Sequence, residues 1–230
     1  MALAVVLLSG GLDSSTALAS TIEKGYEAVA LTFDYGQRHR RELESAKRIA
    51  RHYSVRSHVV IDLDIGEHVR SSLTDESLAV PIDGGPRDGG SNIPSTYVPG
   101  RNIVFLSVAA AIAEGIEADA VVIAANAVDY SGYPDCTPEF IEAFQGTLEV
   151  GTKRGVSGRA VRVEAPLMRM TKADVVREAT RLNVPLDLTW SCYAGGDKAC
   201  GVCDSCRLRL RGFDDAGETD PLQYEVGGDG

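Results

Sequence analysis

The stretch Ser9-Gly10-Gly11-Leu12-Asp13-Ser14-Ser15-Thr16 combines two adjacent glycines with four hydroxyls and one carboxylate. Adjacent glycines let a backbone turn tightly and approach an oxyanion, and successive N–H groups ahead of a helix point at negative charge. The stretch therefore suits phosphate. It has neither the lysine of G-x-x-x-x-G-K-[ST] nor the glycine spacing of G-x-G-x-x-G, so the familiar mononucleotide and dinucleotide loops do not describe it.

A second group is Cys192, Cys200, Cys203 and Cys206, four of the five cysteines, within fifteen residues. Each C-x-x-C can turn two sulfurs onto one ion, and in an intracellular chain such a pattern means metal more often than disulfide. One tetrahedral zinc per chain, held by all four thiolates, is the leading reading. With no position open to water it would be structural. An iron–sulfur cluster competes, but the run continues Arg207-Leu208-Arg209-Leu210 instead of x3-Cys-Pro. Cys136 stands apart and reads as a buried structural cysteine.

The elements that must position these residues follow from periodicity. Apolar runs at Ala2–Leu8, Glu27–Phe33, His58–Leu63, Ala120–Ala125 and Arg159–Glu164 read as strands. Between them lie helical stretches over about 16–23, 40–53, 103–114 and 138–150, with another capped at Thr171. Alternation of this kind predicts an α/β fold with a Rossmann-like, doubly wound, parallel five-stranded sheet. Ligands in such sheets bind at the carboxyl ends of strands, so Ser9, Phe33 and Asp34 should share a crevice. Arg101 and Asn102 open one helix and Lys172 another: they read either as residues that cap and solvate those helix starts or, beside a phosphate chain, as a forked donor from Arg101 and a lysine whose place at a helix start points to a nearby anion. The segment Asn126 to Cys136, with Asp129, Tyr130, Tyr133 and Asp135, reads either as a turn-rich connection or as a cradle for a flat heterocycle. Residues 64–99, whose centre Asp83 to Gly90 is nearly pure turn chemistry, read as a flap or a surface loop. Of four scattered histidines only His39 falls near the expected nucleotide edge.

Composition narrows the function. A net charge of −10 and a pI near 4.9 argue against a large nucleic-acid footprint, which needs clustered Lys and Arg. No apolar run approaches a membrane span, and a cytoplasmic protein is expected.

The loop Ser9–Ser14 resembles the pyrophosphate (PP) loop of the ATP pyrophosphatases, which cut ATP between its α and β phosphates. Taken with Phe33-Asp34-Tyr35-Gly36-Gln37-Arg38-His39, Val98-Pro99-Gly100-Arg101-Asn102, Tyr130 to Cys136, Thr171-Lys172 and Ser191-Cys192-Tyr193, the chain resembles the 7-cyano-7-deazaguanine synthase family from about residue 3 to about residue 213. That resemblance implies an adenine nucleotide alpha hydrolase-like fold and an ATP-dependent carbon–nitrogen ligase. It would convert 7-carboxy-7-deazaguanine and ammonia to the nitrile, through an acyl adenylate and an amide, in queuosine or archaeosine synthesis. It implies ATP with Mg²⁺ as substrate, and small-molecule partners rather than nucleic acid or membrane. A homodimer is implied as well. Asp13, Arg101 and Lys172 would be catalytic. Leu8, Ser9, Gly10, Gly11, Leu12, Asp13, Ser14, Ser15, Thr16, Ala17, Leu18 and Phe33 would bind the nucleotide, and Asp129, Tyr130, Tyr133 and Asp135 the deazapurine. The expected division is an ATP-binding domain over 1–185, a zinc segment over 186–213 and a disordered acidic tail over 214–230. Beginning at Met1-Ala2, the chain leaves no length for a glutaminase, so free ammonia is the expected nitrogen donor. Two positions depart from the family pattern: the first cysteine gap is one residue short, and Thr137 stands where arginine is expected. A tRNA-thiolating PP-loop enzyme and a non-catalytic zinc-bearing nucleotide sensor or RNA-binding module are the alternatives.

Overall fold

The computed structural model describes residues 1–38, 40–82, 93–128 and 132–225. Five parallel strands, β1 (Leu3–Leu7), β2 (Glu27–Asp34), β3 (Ser57–Asp62), β4 (Ala120–Val122) and β5 (Arg162–Glu164), form one sheet in the order β3-β2-β1-β4-β5. The central strands β1 and β4 are buried along their whole length, as a sheet covered on both faces requires. Alternation along β1 divides the core. Leu3, Val5 and Leu7 face one layer with Leu106, Ala109, Phe144 and Leu148, from α3 (Arg101–Gly115) and α4 (Pro138–Gly151). Ala4 and Val6 face the other with Leu18, Ile49, Val175 and Val176, from α1 (Leu12–Glu23), α2 (Arg41–His52) and α5 (Lys172–Arg181). The expected doubly wound fold is the one formed.

Strand order reverses between β1 and β4, so the crevice a ligand can enter opens between the loops that follow them. The loop after β1 is Leu8–Gly11. Gly10 has φ +84°, and a Cβ there would collide with the Glu42 carbonyl in α2, so two separate constraints demand glycine. The first helix begins at Leu12, four residues earlier than periodicity suggests, because Ser14, Ser15 and Thr16 turn their hydroxyls back onto the Gly11 and Leu12 carbonyls instead of standing free.

Three strands are shorter than expected, β1 by one residue at each end. β4 stops at Val122, and β5 starts only at Arg162 because residues 155–157 form a 3-10 turn clamped by Arg154 Nε on the Arg159 carbonyl (3.1 Å). The expected disorder after Phe213 is corrected through Glu225. A sixth helix, α6 (Asp204–Ala216), carries the chain past it, and Gln223–Glu225 then pair with Ala199 (3.0 and 2.8 Å). Its packing is set by Arg209, buried with Asp220. The turn-rich segment is likewise tied at its flanks, since Leu73, Thr96 and Val98 are buried and Ser72 N–H donates to the Ser95 carbonyl (2.9 Å). Its glycine-rich centre lies outside the described residues. Among those described, no helix is long and apolar enough to cross a membrane.

Candidate active site and metal centre

A cavity of about 310 Å³ opens at the carboxyl ends of β1, β2 and β4. Its floor includes Leu8, Ser9, Gly11, Leu12, Asp13 and Ser14, and its walls Phe33, Arg101, Tyr133 and Lys172, all residues singled out in the sequence, alongside others that were not. Gly10, Ser15, Thr16, Ala17 and Leu18 shape the loop and α1 from behind. Ser9 and Ser14 hydroxyls bond one another (3.0 Å), and Ser14 Oγ also accepts the Ser9 N–H (3.2 Å).

Lys172 reaches this floor from the first residue of α5. The helix is started by a capping box: Thr171 Oγ1 accepts the Asp174 N–H (3.1 Å) while Asp174 Oδ2 accepts the Thr171 N–H (3.0 Å). Lys172 Nζ then spans Asp13 Oδ1 and Oδ2 at 2.8 and 2.7 Å. Its aliphatic stem lies over Gly212 of α6, where a Cβ would strike it. The cation is thereby aimed by two helices.

Arg101 enters from the opposite wall at the start of α3, after Gly100 in the left-handed region (φ +65°). Its guanidinium donates to Tyr35 Oη (3.2 Å) and lies over that ring at 5.6 Å. Burial pushes the Tyr35 hydroxyl up to about 12, so it stays neutral near pH 7. Phe33, expected near adenine, is buried and stacked on Phe105 with centroids 4.1 Å apart.

The expected deazapurine side is only partly assembled. Tyr133 lines the cavity, with its hydroxyl on Thr96 Oγ1 (2.7 Å). Asp135 is otherwise engaged: its carboxylate accepts the Asn102 N–H (3.0 Å), and its carbonyl accepts from Asn102 Nδ2 (3.0 Å). It caps α3, whose own first turn has no acidic residue, and does not line the cavity. Asp129, Tyr130 and His39 lie outside the described residues. Thr137, at the departure from the family pattern, is the N-cap of α4 and accepts from Phe140 N–H (3.2 Å). Cys136 Sγ accepts from Asn102 Nδ2 (3.1 Å), and burial pushes its thiol up to about 11, the state of an inert cysteine.

Several lining residues were given no role in advance: Glu42 and Trp190, and Tyr35, Ser191 and Tyr193, which entered only as parts of family motifs. For Glu42 a signal existed. It shares a helical stripe with Ala46 and Ile49, at i+4 and i+7, which is an apolar face. Burial pushes its carboxyl up to about 7, against the opposing pull of Arg101 and a Gln37 hydrogen bond.

The sulfurs of Cys192, Cys200, Cys203 and Cys206 all lie within 4.8 Å of one another, and could hold a metal. All five cysteines of the chain are free of disulfides. Cys192 Sγ accepts N–H bonds from Ala194 and Cys200 (both 3.3 Å), and Cys200 Sγ one from Cys203 (3.3 Å), the donors that stabilise thiolate ligands. This knuckle is not a remote appendage. Trp190 N–H donates to the Gly10 carbonyl (2.8 Å), its indole N–H to the Cys192 carbonyl (3.1 Å), and Arg41 packs over its ring at 4.2 Å.

A family model described as the queuosine biosynthesis protein QueC matches residues 3–217. The chain belongs to this family. Among QueC relatives, the 7-cyano-7-deazaguanine synthase of Acetivibrio thermocellus is 52% identical over 221 residues, covering 96% of this chain and 97% of the relative. The synthase of Thermoplasma acidophilum is 51% identical over 225 residues, covering 96% and 92%. In architecture the chain is similar to a 4-thiouridine synthetase solved with RNA and bound ATP, with TM-score 0.50 and 18% identity over 94% of this chain and 50% of that one. At that identity the likeness shows a shared fold.

Proposed function

We propose that the chain is an ATP-dependent ligase that converts 7-carboxy-7-deazaguanine and ammonia to 7-cyano-7-deazaguanine. The observation that carries this reading is the convergence of Lys172 from α5 and Arg101 from α3 on one cavity floored by the Ser9–Ser14 loop, in a chain of this family. A carboxylate is a poor electrophile and hydroxide a poor leaving group. Attack of the substrate carboxylate on the α phosphorus of ATP makes an acyl adenylate with a good leaving group. The loop N–H groups and serines would hold the departing pyrophosphate, with Lys172 and Arg101 meeting charge as it develops. Lys172 would exchange Asp13 for phosphate oxygen, freeing Asp13 to help hold Mg²⁺, which neutralises phosphate charge when bound. Ammonia turns the adenylate into the amide, and a second ATP activates the amide oxygen so that loss of AMP leaves the nitrile.

Phe33 would border adenine, and Tyr133, with Asp129 and Tyr130, the deazapurine. Asp135 would act indirectly, by fixing the turn that carries Arg101. Four mutually close thiolate donors suit zinc, one per chain and structural. Residues 1–185 would form the ATP-binding unit and 186–213 the metal segment, in a cytoplasmic homodimer acting on small molecules rather than on nucleic acid. A thiolation reading is less supported, because four thiols are clustered for a metal and the fifth, Cys136, is held neutral.

Mass spectrometry of the protein with ATP, Mg²⁺, ammonium and 7-carboxy-7-deazaguanine tests the reading. The nitrile with AMP and pyrophosphate is the expected result; absence of product from folded, metal-replete protein would overturn it.

A further inference from the structure

The ligase reaction, on the reading above, creates a proton problem that none of the residues assigned so far solves. When ammonia adds to the acyl adenylate, its lone pair forms the C–N bond and the carbonyl π pair moves to oxygen. The new nitrogen then carries three hydrogens and a positive charge. Collapse to the amide expels AMP with the C–O bonding pair, and the nitrogen must lose one proton for a neutral amide to form. A base within the cavity has to take it.

We propose that the Glu42 carboxylate accepts this proton and passes it to solvent once AMP has left. Glu42 is in the first turn of α2, whose backbone lies against Gly10 of the phosphate loop, and its side chain lines the cavity on the Arg101 side. Gln37 orients it. The Gln37 amide is buried and fixed at both ends, because its Oε1 accepts the Tyr35 N–H (2.7 Å) and its Nε2 donates to the Phe33 carbonyl (3.3 Å). The second Nε2 hydrogen is thereby left for Glu42. Among the described residues, the charged and titratable groups that face Glu42 include Arg101 from α3, Asp34 at the end of β2 and Tyr35 just after it.

The other groups lining the cavity are unsuited. Asp13 is paired with Lys172 before ATP binds and, on the reading above, helps hold Mg²⁺ afterwards; Tyr35 and Cys136 are held neutral by burial, and no histidine is among the lining residues described. Glu42, pushed up to about 7, is ionised for much of the time at neutral pH, yet basic enough to take a proton from an ammonium-like nitrogen.

The experiment separates the two half-reactions. Without ammonium, exchange of labelled pyrophosphate into ATP that depends on 7-carboxy-7-deazaguanine reports adenylate formation; adding ammonium in a single turnover reports capture. E42Q is expected to keep exchange within about twofold of wild type while capture slows by about 100-fold or more, the usual weight of a general base. E42D should recover part of it. In wild type, capture plotted against free ammonia should rise through about pH 7 to a plateau, and this inflection should be missing in E42Q. A flat wild-type profile would overturn the proposal without any variant. So would unchanged capture in E42Q, or an exchange loss as large as the capture loss, which would make Glu42 a binding or structural group. Wild-type protein without acid-dependent exchange would overturn the ligase reading itself, and Glu42's role with it.

Discussion

Two ion pairs of similar length are tied to α6, one through Arg209 of the helix itself and one through the Lys172 stem that lies on its Gly212, and they do opposite things. Arg209 and Asp220 are 2% and 4% exposed, joined at 2.7 and 2.9 Å, and every remaining polar atom is used: Arg209 also donates to Thr189 Oγ1, while Asp220 accepts from Tyr224 Oη and Leu222 N–H. Lys172 and Asp13 meet at 2.7 Å but are 13% and 29% exposed, at the floor of an open cavity. A buried pair completed on all sides has no reason to exchange partners, so it fixes structure. A pair at a cavity floor can open at small cost when a better anion arrives. Geometry alone does not distinguish them; what surrounds each pair does.

The contrast can be broken from the structural side first. If the four thiolates hold a metal, a strong chelator should release the knuckle that leads into α6, with an effect on the order of 10 kcal/mol where metal binding and folding of the segment are coupled. Trp190, the single tryptophan of the chain, sits between the knuckle and Gly10, so its fluorescence should shift red and ATP affinity should fall together. Next, Arg209→Met leaves Asp220 buried without its cation and should cost about 3–5 kcal/mol, read from the midpoint of denaturant unfolding. Lys172→Met should do the reverse. It should lower acid-dependent pyrophosphate exchange by about 100- to 1,000-fold, equivalent to about 3–4 kcal/mol in the transition state, with little change in that midpoint. Thr171→Ala removes a cap and should cost about 1 kcal/mol, lowering stability and the positioning of Lys172 together.

The smallest effect is acid dependence. Burial raises the Asp220 carboxyl, but the Arg209, Tyr224 and Leu222 donors more than offset it, so its folded value is lowered. A lowered carboxyl contributes stability that is fully present above its unfolded value, about pH 4, and is lost as pH falls through the folded one. Unfolding free energy measured from pH 5 downward should show this decline in wild type and a weaker one in Arg209→Met.

Much of the fold and part of the site were legible because their signals are local. The apolar run Ala2–Leu8 before Ser9-Gly10-Gly11 specifies a strand, a turn and a glycine loop at the mouth of the sheet through steric rules that act over a few residues. The cysteine spacing likewise brings its sulfurs together by short-range turns. Asp135 was misread because an acidic residue among aromatics looks like a ligand group in sequence, whereas its partner, Asn102, is 33 residues away. Glu42 passed unnoticed among the charges of α2, although it shares the Ala46–Ile49 stripe.

From the sequence by itself came the alternation of strands and helices, the glycine loop, the four-cysteine cluster and the candidate cations. Only the tertiary structure decided what those residues meet. Folding put Gly212 under the Lys172 stem, Trp190 on the loop carbonyl, Gln37 behind Glu42 and Asp135 at the head of α3. Local sequence sets backbone conformation through sterics and periodicity, whereas a side chain's partner and its proton affinity depend on burial and on charges carried by distant segments. Those are known only when the chain has closed on itself.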